Sequence, residues 1–218
     1  MTVVKIDGIS RIEDARAVVE AGADYLGLVF APSPRRVTPE TAREIVGALG
    51  DIPRRPQVVG VFVNTLASEI NHLADFCGLG MVQLSGDEPW EYCREIERPV
   101  IKVIHVSGHE GAEAVFDEIS TGERALGTDG FTCLLDTKVK GIYGGTGEKF
   151  DWQLAREVGR QRPVIIAGGL NAENVGEAIR TARPWGVDVS SGVETNGSKD
   201  ITKIRAFIRA VRRADDEV

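Results

Sequence analysis

The sequence predicts a (β/α)8 barrel, and two observations lead to that fold class. Short runs rich in β-branched residues alternate with stretches of helical apolar spacing along all 218 residues. The runs number eight, each followed by a helical pattern, which is the order of elements in this barrel. At about 27 residues per unit no length remains for a second domain, so we expect residues 1–218 to form a single domain.

The structural alternative is a doubly wound open sheet, which binds dinucleotides through a glycine-rich fingerprint. The segment GIYGGTGEK at 141–149 is glycine-rich but matches neither G-x-G-x-x-G nor G-x-x-x-x-G-K-[ST]. We therefore favour the barrel. We interpret residues 139–149 as a loop and, as a hypothesis, as a lid that closes over a ligand.

The elements follow in strict alternation. Strands are predicted at 3–7, 25–30, 57–62, 80–84, 99–104, 131–135, 163–167 and 186–190. Helices are predicted at 11–21, 39–48, 66–76, 89–96, 109–119, 151–160, 172–182 and 200–213. Thr38-Pro39 and Asn171 are typical start signals for two of these helices.

Composition excludes several classes of protein. A net charge of −7 argues against a nucleic-acid binder, and no apolar run is long enough to span a membrane. The start MTVVKIDG lacks a secretory apolar region, so we expect a cytoplasmic protein. The three cysteines suggest no disulfide framework. His105 and His109 are interpreted as loop or surface histidines, because no cysteine lies nearby to complete a metal site.

In this fold the active site lies at the carboxyl ends of the strands, with a phosphate site after strands 7 and 8. Gly168 and Gly169 follow strand 7, Ser190 ends strand 8, and Ser191 and Gly192 come directly after it. Consecutive N–H groups in such turns can bind phosphate. Tight βα turns would use the same residues, but two such turns at these strands favour a phosphosugar ligand.

Two carboxylates are the candidate acid and base. Asp7 ends strand 1 and Asp136 ends strand 6, across the barrel mouth. Such a pair suits proton removal at one carbon and proton delivery to a ring oxygen. Lys5 shares a strand face with Asp7 and would favour its ionised form. A structural Lys–Asp pair in the barrel interior is the alternative.

Arg36 follows strand 2 in the segment PSPRRVTP. Its guanidinium group could bind a carboxylate through two hydrogen bonds. An arginine in a proline-flanked loop is otherwise a solvated surface charge, so the local pattern alone is weak.

With these residues in place, the chain resembles the phosphoribosylanthranilate isomerases of tryptophan biosynthesis nearly from end to end. The similarity is carried by VKIDGIS, AGADYLGLVFAPSPRRVTPE, GVFVN, VQLSGDE, LLDTK, GGTGEKFDW, AGGLNAENV and VDVSSGVE, in the family's order. The resemblance implies an Amadori rearrangement of N-(5′-phosphoribosyl)anthranilate to 1-(2-carboxyphenylamino)-1-deoxyribulose 5-phosphate. It implies no metal or organic cofactor and a small phosphoribosyl substrate as the ligand.

By position, the resemblance implies that Asp136 is the general acid and that Arg36 binds the anthranilate carboxylate. It also implies that the turns at Gly168-Gly169 and Ser191-Gly192 bind the phosphate. The remaining residues expected to contact substrate are Lys5, Gln83, Asp188 and Ser190.

Two positions depart from the family pattern. The family's general base is a cysteine, and this chain has Asp7; the family's QLHG segment has Ser85 in place of histidine. We expect the same reaction with Asp7 as base, at a lower rate, because an aspartate is a weaker base than a thiolate.

Two other interpretations stay open. One is a histidine-pathway-like or dual-substrate isomerase that uses an Asp/Asp pair. The segment VFVNT at 61–65 argues against it, because it lacks the paired glycines of a second phosphate site. The other is a base-impaired variant that binds phosphosugar but turns over poorly. The sequence leaves monomer and homodimer equally possible.

Overall fold

In this computed structural model, the described residues are 1–50, 52, 55–106, 111–137 and 152–217. Within them, eight parallel strands close into a barrel, and helices lie between most successive strands. The predicted fold class is confirmed. His109 and the loop at 139–149 lie outside the described residues.

Each predicted strand is present, and its ends differ from the prediction by at most two residues. The strands are β1 (Val3–Asp7), β2 (Tyr25–Val29), β3 (Gln57–Phe62), β4 (Met81–Leu84), β5 (Val100–Val106), β6 (Thr132–Thr137), β7 (Val164–Ile166) and β8 (Gly186–Val189). The barrel closes where β1 pairs with β8, in a register that sets Lys5 opposite Asp188.

The helices are α1 (Ile12–Ala21), α2 (Pro39–Gly47), α3 (Ala67–Cys77), α4 (Ala112–Leu126), α5 (Trp152–Gly159), α6 (Val175–Ala182) and α7 (Ile201–Asp216). A short hairpin of β9 (Glu194–Thr195) and β10 (Ser198–Lys199) precedes α7. Among the described residues, no helix combines the length and apolar character needed to cross a membrane.

The fourth connection differs from the prediction. Residues Trp90–Glu95 form a 3-10 helix where an α-helix was expected at 89–96. The Trp90 ring packs against Phe131, with centroids 4.5 Å apart, and its indole nitrogen donates to Glu118 of α4 at 2.8 Å. These contacts fix the segment close to α4, whose Gly122 leaves the space that the ring occupies. A tertiary anchor of this kind overrides local helical spacing.

The two start signals act differently. The Thr38 hydroxyl accepts a hydrogen bond from the Thr41 amide at 3.2 Å, with Pro39 in the first helical turn, as predicted. The Asn171 carboxamide oxygen accepts from the Glu173 and Asn174 amides at 2.9 and 3.1 Å. It therefore caps a turn, and the regular helix begins later, at Val175.

Side chains alternate between two apolar layers. An inner layer fills the barrel, and its buried members are Val59, Met81, Ile101, Val103, Leu134, Ile165 and Ala167. The larger outer layer lies between strands and helices and includes Val4, Ile6 and Cys133. All three cysteines are buried and free, as expected from their number and spacing. Polar inward-facing residues follow the inner layer toward the carboxyl ends of the strands.

Candidate active site

Lys5, Asp7 and Asp188 form a buried cluster at the junction of β1 and β8. The Lys5 ammonium group is in ion-pair contact with Asp7 Oδ1 and donates to Asp188 Oδ1 at 3.2 Å. The Lys5 side chain has no exposed surface, and the two carboxylates are about nine-tenths buried. The predicted Lys5–Asp7 pair is therefore present, with Asp188 as a third member.

The charges of this cluster change one another's pKa values. Burial alone would lower the pKa of the Lys5 ammonium group, but the carboxylates of Asp188 and Asp7 outweigh it and raise that pKa. Burial first, and then the negative charge of Asp7, raise the pKa of Asp188 well above its ordinary value. Lys5 thus stays charged, and Asp188 takes up a proton more readily than an ordinary aspartate.

Gly27 makes room for the Asp7 carboxylate. It lies opposite Asp7 in the β1–β2 register. A Cβ atom at Gly27 would lie 1.7 Å from Asp7 Oδ1 and 2.7 Å from its Cγ. Such a distance is far inside van der Waals contact, so only glycine at this position leaves the carboxylate where it is.

Asp136 lies on β6 and faces the barrel interior. Leu134, two residues earlier, belongs to the inner layer, and alternate residues of a strand share a face. The side chain is half-buried. Its charge contributes to the raised pKa of Asp188, so the two carboxylates are close enough to interact. The structure therefore brings Asp136 and the Lys5 cluster to one end of the barrel.

His105 corrects the sequence interpretation, which placed it on a loop or the surface. It is half-buried on β5, with its Nε2 atom 2.9 Å from the Ser85 carbonyl oxygen. Gln83 donates from its Nε2 to the Ser85 hydroxyl at 3.0 Å. Strand alternation from Ile101 and Val103 would have placed His105 on the inward face. That signal was present in the sequence and was missed.

The two predicted phosphate turns touch each other. Gly168 and Gly169 both adopt left-handed φ angles, of 91° and 64°, which favour glycine. Asn174 donates from its Nδ2 to the Gly169 carbonyl at 2.9 Å and so braces this turn. A Cβ atom at Gly192 would lie 1.8 Å from the Leu170 carbonyl oxygen. The turns after β7 and β8 therefore form one surface.

Arg36 lines a cavity of about 590 Å³ between the segments that follow β2 and β3. Phe30 and Phe62 also line it, with stacked rings whose centroids are 4.9 Å apart. Arg36 itself is exposed. The neighbouring Arg35 turns instead toward Gly8 and binds Glu194.

The model of the family described as N-(5'phosphoribosyl)anthranilate (PRA) isomerase matches residues 4–210. A relative named N-(5'-phosphoribosyl)anthranilate isomerase from Dehalococcoides mccartyi is 50% identical, over 99% of this chain and 98% of that protein. A relative of the same name from Desulforudis audaxviator is 47% identical, over 98% of this chain and 100% of that protein.

Solved structures give the same result. Phosphoribosyl anthranilate isomerase from Thermotoga maritima superposes with a TM-score of 0.84 at 40% identity, covering 98% of this chain and 100% of that one. A phosphoribosyl anthranilate isomerase in complex with reduced 1-(o-carboxyphenylamino)-1-deoxyribulose 5-phosphate superposes with a TM-score of 0.81 at 39% identity, with the same coverage.

Proposed function

The chain belongs to the N-(5'-phosphoribosyl)anthranilate isomerase family, and from that premise we propose how its residues perform the isomerisation. It is an aldose–ketose isomerase of tryptophan biosynthesis. It converts N-(5'-phosphoribosyl)anthranilate to 1-(2-carboxyphenylamino)-1-deoxyribulose 5-phosphate. Asp7 is the general base and Asp136 the general acid. The observation that carries these roles is the buried Asp7 carboxylate, held by Lys5 at the same end of the barrel as Asp136.

The reaction divides between the two carboxyl groups. Asp136, protonated, donates to the furanose oxygen, and the ring opens to a Schiff base. Asp7, ionised beside Lys5, removes the C2′ proton and leaves an enol that becomes the ketone. An aspartate is ionised at neutral pH without a partner, but it is a weaker base than a thiolate. We therefore expect a slower proton abstraction than a cysteine would give.

The substrate lies across the barrel mouth in this proposal. Its phosphate binds the joined turns of Gly168-Gly169 and Ser190–Gly192, and its anthranilate carboxylate binds Arg36. The aromatic lining of the cavity at Arg36 suits the anthranilate ring. Gln83 and Asp188 contact the sugar. No metal or organic cofactor takes part, and the protein acts in the cytoplasm as a monomer or homodimer.

Lys5 has a different role from the substrate contact expected from the sequence. Its side chain is fully buried between two carboxylates. We propose that it acts through Asp7 and Asp188, by holding the carboxylate of the base in position.

The test is turnover of freshly generated phosphoribosylanthranilate, followed by the loss of its fluorescence. Asp7→Asn and Asp136→Asn should each lower kcat by about 10²- to 10⁴-fold, the range for a general acid or base. Asp75→Asn, an exposed aspartate on α3, is the matched control and should leave kcat unchanged.

An inactive parent protein that Asp7→Cys restores to turnover would show a base-impaired member of the family, contrary to this proposal. Full activity of Asp7→Asn would also remove Asp7 as the base.

A further inference from the structure

Arg35, Glu194 and Lys199 form a second charge cluster beside the turn that follows β8, with Glu194 and Lys199 buried and Arg35 half-buried. Arg35 donates to both carboxylate oxygens of Glu194, at 2.6 and 2.8 Å. Lys199 donates to Glu194 Oε1 at 2.6 Å. The side chains of Glu194 and Lys199 are 7% and 2% exposed. Two cations and one anion leave this cluster with a net positive charge.

The hairpin that carries two of these residues is specified by its turn. Asn196 and Gly197 both adopt left-handed φ angles, of 52° and 77°, as an Asn-Gly turn between antiparallel strands requires. The register then sets Lys199 directly opposite Glu194. Cross-strand neighbours of opposite charge stabilise such a pairing.

Lys199 connects the cluster to the phosphate turn. It has three N–H donors, and each has an acceptor. These are Glu194 Oε1, the Ser190 carbonyl oxygen at 2.8 Å and the Ser190 hydroxyl at 3.4 Å. The ammonium group therefore has no donor left for a ligand, and it can act only through Ser190 and through its charge.

Ser190 and Arg35 extend the connection to the catalytic strand. The Ser190 hydroxyl donates to the main-chain carbonyl of Asp7 at 3.3 Å. The aliphatic part of Arg35 packs on Gly8, where a Cβ atom would lie 2.5 Å from Arg35 Cδ. One cluster thus connects the segment after β1, the loop after β2 and the turn after β8.

We propose that Arg35, Glu194 and Lys199 are positioning residues for the substrate phosphate. They fix Ser190 so that the following N–H groups of Ser191 and Gly192 face the phosphate, and they place positive charge behind that turn. The proposal rests on the proposed function of this site. It accounts for how a chain of net charge −7 attracts a phosphate dianion to a turn made of main-chain amides.

The electrostatics of the cluster agree with its geometry. Burial would raise the pKa of the Glu194 carboxyl, but the hydrogen bonds from Arg35 and Lys199 outweigh it and lower this pKa to about 2. Burial lowers the pKa of Lys199, and the hydrogen bond to Glu194 partly offsets that effect. A preorganised charge of this kind needs no reorganisation when an anion binds.

The experiment measures the binding of inorganic phosphate by calorimetry, together with KM and kcat. Lys199→Met should weaken phosphate binding by about 10- to 100-fold, the range for losing a charged hydrogen-bond partner. KM should rise more than kcat falls. Lys203→Met is the matched control, because Lys203 lies on α7 and its ammonium group donates to the main-chain carbonyl of Glu194, not to the Glu194 carboxylate or to Ser190. It should change phosphate binding by less than about twofold.

Equal phosphate affinities of Lys199→Met and Lys203→Met would overturn the proposal, as would a failure of the unaltered protein to bind phosphate. If Lys199→Met does not fold, phosphate binding is measured on Arg35→Met, which removes the other cation of the cluster. Unchanged phosphate affinity in Arg35→Met would then overturn the proposal. An unaltered protein that binds phosphate but does not isomerise phosphoribosylanthranilate would instead contradict the proposed function.

Discussion

Gly27→Ala is the sharpest perturbation of the proposed base, because it changes neither charge nor any catalytic residue. The added methyl group would lie 1.7 Å from Asp7 Oδ1, whereas ordinary contact begins at 3.4 Å. The carboxylate must therefore move by about 1.7 Å and leave its contact with Lys5. A misplacement of about 1 Å costs on the order of 10²-fold in rate. We expect kcat to fall by at least about that factor.

The stability cost of this substitution should be smaller than that of removing Lys5, because a carboxylate can rotate and Lys5 keeps Asp188 as a partner. Gly60→Ala is the contrasting control. Its methyl group would lie 2.5 Å from Leu79 Cδ1 and 2.7 Å from Phe62 Cε2, so it should cost about 1–3 kcal/mol of stability and lower kcat far less than Gly27→Ala does. Gly47→Ala meets no atom within 4 Å and should be neutral or stabilising.

The assay combines steady-state turnover of phosphoribosylanthranilate with urea unfolding of the same three variants. A Gly27→Ala protein that is folded and retains kcat within about threefold would refute the reasoning. It would mean that the position of the Asp7 carboxylate does not limit the reaction. Parallel losses of stability and kcat in Gly27→Ala and Gly60→Ala would point to general misfolding.

Three further outcomes are expected. Lys5→Met should lower the free energy of unfolding at pH 7 by about 3–5 kcal/mol in urea denaturation, because Asp7 and Asp188 lose their buried cation; no change would show that the pair is not buried. Burial raises the pKa of Cys133 to about 12, so a thiol reagent at pH 8 should label it only in the unfolded chain. The Glu194 pKa falls from 4.5 to about 2. Its ionised form should therefore stabilise the fold by about 3 kcal/mol above pH 4.5 and lose that effect toward pH 2. The free energies of unfolding of the protein and of Glu194→Gln across that pH range check this prediction, and a difference that stays constant with pH would contradict it.

The order of strands and helices could be predicted from the sequence because each unit carries its own pattern. The strands of a parallel barrel are short apolar runs, and local signals such as Thr38-Pro39 mark where a helix begins. The 3-10 segment at Trp90–Glu95 could not be predicted this way. Its conformation depends on the contact of Trp90 with Phe131, a residue far along the chain.

The positions of the candidate site residues were predictable where these residues lie at strand ends. Asp7 and Asp136 follow from strand position, and Lys5 follows from alternation within one strand. His105 could have been found by the same alternation. The pairing of Arg35 with Glu194 could not, because 159 positions separate them and nothing in either segment points to the other.

Charge at the barrel mouth shows most clearly what only the fold supplies. Lys5 meets Asp188 across 183 positions, and the cluster that they form with Asp7 carries one cation against two carboxylates. The cluster around Lys199 has two cations and one carboxylate. Ser190 connects the two clusters, because its carbonyl accepts from Lys199 and its hydroxyl donates to the Asp7 carbonyl. If the proposed site is correct, we expect a phosphorylated sugar to be drawn phosphate-first toward the positive cluster. In that orientation, the sugar carbon that loses its proton would lie beside the cluster of Lys5, Asp7 and Asp188, where the proposed base is.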